Sequence, residues 1–239
     1  MEHHSHDHYH GEHAHSKGTL EHHSSVVAEI LCHLPYAIFS VALSMIVLSF
    51  ISSGHAAQEE GFIAYRLFHN FHYLHLLFAA TGTVLIFRKY SQSTVWSCIV
   101  GFIVPAFFCT VSDAFLPYLG GKMVNLDMHF HWCFISHLDV VIPFLVGGII
   151  NGLVMSWHVS SRQLFYSLGF HFVHIFISSM ASILYLVSFG FHDWWVRMGF
   201  VFGFLIFAVL IPCTLSDIVV PMLFAKIIPL ISKRTKKKV

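Results

Sequence analysis

The strongest constraint on the fold of this chain is a series of six apolar segments, each long enough to cross a bilayer. A helix needs about 20 residues to span the hydrocarbon layer, and in lipid only helices and closed barrels satisfy the backbone polar groups. The predicted membrane helices are Val26–Ile51, Leu67–Phe87, Val95–Leu116, Phe130–Val154, Leu164–Phe189 and Val196–Phe224. The sequence therefore predicts an all-α integral membrane protein with six transmembrane helices.

Composition supports a membrane location and argues against nucleic-acid binding. Of the 239 residues, 56% are hydrophobic and only 10% are charged, which is not the composition of a soluble domain. The net charge of +1 gives nucleic acid no broad basic surface. The basic run over residues 233–238 directly follows a membrane segment, so its predicted partner is anionic lipid of the bilayer.

Two short motifs occur twice in the chain, in the same order. The pattern Phe-His-x-x-His occupies residues 71–75 and 170–174, and the pattern Cys-Thr-x-Ser-Asp occupies residues 109–113 and 213–217. Each copy belongs to a set of three helices, and because three is odd, the second set enters the membrane upside down. The prediction is a 3+3 inverted repeat, a plan found in many secondary transporters.

The repeat divides the chain into four predicted parts. Residues 1–24 form a histidine-rich, disordered cytosolic tail, and residues 25–118 form the first three-helix repeat. Residues 129–225 form the second, inverted repeat, and residues 226–239 form a basic cytosolic tail.

The distribution of positive charge predicts that both termini lie in the cytosol. Cytosolic loops of membrane proteins are enriched in lysine and arginine. With the termini inside, only Arg66, Lys122 and Arg197 of the 13 basic residues fall in outer segments.

The inversion sorts the polar membrane residues into two predicted metal clusters, one toward each face. Ionisable groups are costly in hydrocarbon and are usually functional there, and imidazole with carboxylate suits Zn²⁺ or Fe²⁺. The predicted outer ligands are His72, His75, Asp113, His137 and Asp139. The predicted inner ligands are His33, His171, His174 and Asp217.

Small polar residues beside the aspartates are expected to support these clusters. Thr110, Ser112, Thr214 and Ser216 are predicted to orient the carboxylates by hydrogen bonds. Cys109 and Cys213 lie one helical turn before the aspartates, and either metal ligation or simple packing accounts for them.

The tail before the first helix contains nine histidines in an irregular pattern. Such a segment is expected to remain disordered and to bind transition-metal ions loosely. Its histidines are His3, His4, His6, His8, His10, His13, His15, His22 and His23.

These patterns predict a secondary transporter of a divalent transition-metal ion, zinc or iron first, with the ion as substrate rather than fixed cofactor. Metal binding to histidine displaces protons, so protons are a candidate coupling ion, and the cytosolic tail favours export. One alternative is a membrane electron carrier with b-type haem, which the duplicated aspartates disfavour. Another is a membrane metalloenzyme, a hydrolase or non-haem iron oxygenase, although no H-E-x-x-H, H-x-x-H-H or G-x-S-x-G pattern occurs.

Overall fold

The computed structural model describes residues 26–53, 57–158, 164–191 and 194–236, and the regular structure in these ranges is entirely helical. The predicted histidine-rich tail lies outside the described residues. The α-helices are α1 Val26–Ser52, α2 Ala57–Tyr90, α3 Thr94–Thr110, α4 Leu116–Met123, α5 Cys133–Ser136, α6 Leu138–His158, α7 Leu164–Ser188, α8 Met198–Thr214 and α9 Val220–Lys236. A short 3₁₀ helix covers Trp194–Arg197.

Six helical segments in the described ranges are long and apolar enough to cross a membrane, which confirms the predicted number. The third consists of α3 and α4 with the turn between them, and the sixth consists of α8 and α9 with the turn between them. The segments are Ile30–Ser52, Gly61–Tyr90, Thr94–Met123, Leu138–Trp157, Gly169–Ser188 and Met198–Ile228.

The fourth segment begins later than predicted. Phe130 was the expected start, but α6 begins at Leu138, and the short helix α5 and a loop precede it. The loop is anchored by a buried tyrosine, because the backbone N–H of His131 donates to Tyr185 Oη at 3.2 Å. Met128 and Cys133 of this stretch are buried against the protein core, whereas Trp132 and Ile135 are exposed, and the stretch does not extend a membrane helix.

The helices that carry the Phe-His-x-x-His motifs form the centre of the molecule. In α2 and α7 the buried share of the most apolar window is 61% and 72%, against 28% for α6, so the other helices surround this pair. Close packing of α2 on α6 depends on glycine. A Cβ atom at Gly152 would lie 2.9 Å from the carbonyl oxygen of Thr81, so only glycine permits this approach.

Two π-helical turns, Val111–Phe115 and Leu215–Val219, contain the aspartates of the repeated Cys-Thr-x-Ser-Asp motif. Each turn is followed by a proline, Pro117 or Pro221, at the second residue of the next helix. Proline has no backbone N–H and disrupts regular α-helical bonding. A wide turn accommodates this gap, and such turns often occur at functional sites.

The same hydrogen bond from a neighbouring helix completes each π-helical turn. In a π-helix the carbonyl of Ser112 would pair with the N–H five residues on, but that residue is proline. Ser182 Oγ on α7 donates to this carbonyl at 3.0 Å. The carbonyl of Ser216 has the same problem, and Thr83 Oγ1 on α2 donates to it at 3.0 Å. Both turns are therefore fixed by a hydroxyl from the central pair of helices.

Candidate metal centre

The two halves of the chain meet at a pair of histidines in the buried interior. His75 Nε2 on α2 lies 3.0 Å from His174 Nε2 on α7, and Cys213 Sγ on α8 lies 3.6 Å from His75 Nε2. These side chains are 1%, 1% and 4% exposed, respectively, so protein surrounds all three donor atoms. The two predicted clusters are therefore not separate, because a member of each is in contact with the other.

Two of the three separations between the donor atoms are close to those of a tetrahedral zinc site, and all three donor atoms lie within 4.8 Å of one another. Bond lengths of about 2.05 Å for Zn–N and 2.3 Å for Zn–S give tetrahedral edges of about 3.3 Å for N···N and 3.6 Å for N···S. The observed separations of 3.0 Å and 3.6 Å lie close to these edges. His75, His174 and Cys213 can therefore hold one ion with only small side-chain movement. The two imidazoles touch directly, which is not an arrangement for holding a haem between them.

Asp113 orients the first of these histidines. Its Oδ2 accepts hydrogen bonds from Nδ1–H of His75 at 2.7 Å and of His72 at 2.9 Å. Because Nδ1 of His75 carries the hydrogen, the lone pair of Nε2 points to the centre, as in carboxylate–histidine–zinc sites. Ser112 Oγ and Ser178 Oγ donate to the other oxygen, Oδ1, at 2.7 Å and 3.0 Å. The Asp113 carboxylate is thus fully hydrogen-bonded.

Asp217 stands in the corresponding position beside the second histidine, with fewer partners. Its Oδ2 lies 3.2 Å from Nδ1 of His174, an ion-pair distance without hydrogen-bond geometry. Among the described residues, Asp217 Oδ1 and Ser216 Oγ have no hydrogen-bond partner. Ser178, which supplies Asp113, has Ala79 as its counterpart in the other copy of the Phe-His-x-x-His helix. Asp217 Oδ1 therefore lacks one of the two donors that serve Asp113, and the other counterpart hydroxyl, Ser216 Oγ, does not donate to it.

Of the four hydroxyl residues expected to orient carboxylates, only Ser112 does so in the structure. Thr110 Oγ1 donates to the carbonyl of Ala106 at 2.8 Å, and Thr214 Oγ1 donates to that of Leu210 at 2.7 Å. Both therefore bond to their own helix. Cys109 also lies away from the centre, in the apolar cluster between α2, α3 and α6.

Ser178 and Ser182 were not singled out by the sequence reasoning, although a signal was present. They follow His174 at intervals of four residues on α7, and residues four apart lie on the same helix face. Because both serines share the face of α7 that carries His174, they are expected to contact the same neighbouring helices as His174.

The remaining predicted ligands lie on either side of the central histidines, His75 and His174. His137 lies beside His69 and His131, at ring-centre distances of 4.9 Å and 6.0 Å. Asp139 is exposed at the start of α6. On the opposite side, the rings of His33 and His171 lie 5.0 Å apart in an edge-to-face arrangement.

Two groups in the connection before α6 have pKa values displaced by burial. Burial, with the nearby His137, lowers the pKa of His131, so this imidazole is neutral and its lone pair is available near neutral pH. Burial raises the pKa of the Cys133 thiol to about 12, so the thiol keeps its proton.

Comparisons of the chain with protein-family models, curated proteins and solved structures gave no match. The chemistry of the site is therefore the basis for a functional assignment.

Proposed function

We propose that the protein carries a divalent transition-metal ion across a membrane, with zinc the foremost candidate. The observation that supports this most is the convergence of His75 Nε2, His174 Nε2 and Cys213 Sγ in the buried interior. Each histidine is backed by an aspartate at its Nδ1 edge, at 2.7 Å for Asp113 and 3.2 Å for Asp217. We assign both aspartates an orienting role and the two nitrogens and the sulfur the ligand role.

The donor set narrows the choice of ion. Two imidazoles and one sulfur suit zinc better than iron(II) or manganese(II), which prefer more oxygen ligands. A thiol must lose its proton to bind a metal, so ion entry would release a proton and proton coupling is part of the proposal.

A series of neighbouring histidines supports transport of the ion rather than its storage. His69, His72 and His75 follow one another at three-residue intervals on α2, each step rising about 4.5 Å along the helix axis. The series continues across the 3.0 Å contact to His174 and then to His171, one turn away on α7. Neighbouring imidazoles would let an ion exchange one ligand at a time.

The matched π-helical turns support the proposed 3+3 inverted repeat. The segments Val111–Phe115 and Leu215–Val219 occupy the same positions in the two copies of the motif. Two similar halves around one central site would permit opening to either face in turn. The charge distribution supports cytosolic termini, and the histidine-rich tail on that side favours export.

The test is zinc movement in proteoliposomes, measured with a zinc indicator enclosed in the vesicles. We expect wild-type protein to move zinc faster than empty vesicles, and the double variant His75→Ala, His174→Ala to move none above that background. His129→Ala is the matched control, because His129 is exposed and has no place in the centre. Equal flux for the double variant and wild type, or no wild-type flux above background, would contradict the proposal.

A membrane metalloenzyme is the second candidate, favoured by one feature. Three protein donors leave the fourth tetrahedral position open, as in catalytic zinc sites. The same vesicles distinguish the two functions, because an enzyme would hold its zinc and show no flux.

A further inference from the structure

A second group of three histidines lies toward one end of this series of histidines, one turn of α2 before His72. His69 Nε2 faces His131 Nε2 at 3.3 Å, and the ligand atoms of His69, His131 and His137 all lie within 4.8 Å of one another. The 3.3 Å separation equals the N···N edge of about 3.3 Å expected for two imidazoles on one tetrahedral zinc ion.

The surrounding structure fixes the direction of two of these donors. His69 Nδ1–H donates to the carbonyl of Tyr65 at 2.8 Å, which leaves the lone pair on Nε2 facing the group. The ring of His131 stacks on Phe189 with centres 5.4 Å apart and planes at 20°. Tyr185 also holds the loop, through the N–H of His131 and the carbonyl of His129.

This group differs from the metal centre in access. A cavity of about 250 Å³ opens beside it, lined by Tyr65, Arg66, His69, Asn70, Tyr73 and His137. His131 and His137 are partly exposed, whereas the central histidines are 1% exposed. An ion from the aqueous side can therefore reach this group without first entering the buried interior.

The group is also made of weaker components. It contains imidazoles alone, and no carboxylate among the described residues is hydrogen-bonded to any of them. Cys133 Sγ lies 4.0 Å from His69 Nε2, beyond the expected N···S edge of about 3.6 Å. His69 has no histidine counterpart, since Leu168 occupies the equivalent position beside the other copy of the motif. Both facts suit a site that takes up an ion and releases it again.

We propose that His69, His131 and His137 form a second metal site, which captures a divalent transition-metal ion at the cavity before the ion passes by His72 to the centre. The capture role rests on the proposed transport function, whereas metal binding at the three histidines does not.

The test is the number of zinc ions bound per chain, measured by equilibrium dialysis and calorimetric titration. Full-length protein with the nine tail histidines changed to asparagine provides the background, because the tail would bind zinc itself. We expect two ions in this background and one in the double variant His131→Ala, His137→Ala. His129→Ala, in the same loop, is the matched control and should still bind two. The single variant His137→Ala tests the site with the stacking of His131 on Phe189 intact, and it should weaken binding of the ion at this second site by about tenfold or more.

Flux measurements test the capture role of the second site separately from its ability to bind metal. In the double variant His131→Ala, His137→Ala, we expect flux at saturating zinc to persist while the half-saturating concentration rises by about tenfold. The second site would be overturned if the double variant bound two ions, or if the tail-substituted protein and the double variant both bound one. If two ions bind normally but no variant or wild type shows flux, the second site stands and the transport function fails.

Discussion

Asp113 and Asp217 occupy the same position in two copies of one motif, yet the structure surrounds them differently. Asp113 accepts four hydrogen bonds, from two histidines and two serines. Asp217 lies near one histidine at 3.2 Å, and its Oδ1 has no partner among the described residues. The backbone around both is alike, because each lies in a π-helical turn completed by a hydroxyl from α2 or α7.

The comparison separates the contacts that support the fold from the contacts that orient the candidate ligands. The turns and their carbonyl contacts are duplicated, so they belong to the architecture. The hydrogen bonds to the carboxylates are not duplicated, so Nδ1 of His75 is hydrogen-bonded to its aspartate whereas Nδ1 of His174 is not. If the centre binds an ion as proposed, we expect the side chains around Asp217 to be the ones that rearrange.

The largest expected effect comes from neutralising Asp113, and the same change at Asp217 serves as the comparison. Asp113→Asn would leave buried imidazole and serine donors facing an amide, and should lower the free energy of unfolding by about 3 kcal/mol. Asp217→Asn removes a carboxylate with few partners, and should change it by about 1 kcal/mol or less. Thermal and denaturant unfolding in detergent measures both. Equal destabilisation by the two substitutions would remove the difference between the halves.

Smaller effects, equal to each other, are expected for the two hydroxyl groups that complete the π-helical turns. Ser182→Ala and Thr83→Val each leave a buried π-turn carbonyl without its hydroxyl partner, which should cost about 1–2 kcal/mol in either case. The same unfolding measurements apply. Costs that differ by more than about 1 kcal/mol would show that the two turns are not equivalent.

The smallest effects test the cause of the asymmetry. Ser178→Ala removes one donor from Asp113 and should lower stability by about 1 kcal/mol. Ala79→Ser places a hydroxyl at the corresponding position on α2, where it should reach Asp217 Oδ1 and raise stability by up to about 1 kcal/mol. Destabilisation by Ala79→Ser would mean that Ala79 is not the structural counterpart of Ser178.

Much of this arrangement can be predicted from sequence, because hydrocarbon imposes simple rules. Six apolar segments indicate six helices, and repeated histidines at membrane depth indicate a site. The pairing of His75 with His174 was not predicted, since their relative depth depends on where α2 and α7 begin and how they cross. A shift of a few residues in a helix start moves a side chain by several ångströms.

Other features depend on tertiary contacts that no local pattern contains. Cys109 and Cys213 are identical within their motifs, but only Cys213 lies beside the central histidines. The loop with His131 resembles membrane sequence because it is rich in apolar residues, some of which, such as Met128 and Cys133, pack on the core. In both cases the residue types were visible, but the surfaces they meet were not.

The most direct test of the central claim is the X-ray absorption spectrum of bound zinc, in full-length protein whose tail histidines, His131 and His137 have been replaced. The account predicts nitrogen neighbours at about 2.0–2.1 Å and one sulfur at about 2.3 Å. The sulfur should vanish in Cys213→Ser and persist in the matched variant Cys109→Ser. A zinc shell without sulfur, or a sulfur lost with Cys109 and kept without Cys213, would contradict the assignment of His75, His174 and Cys213 as the ligands.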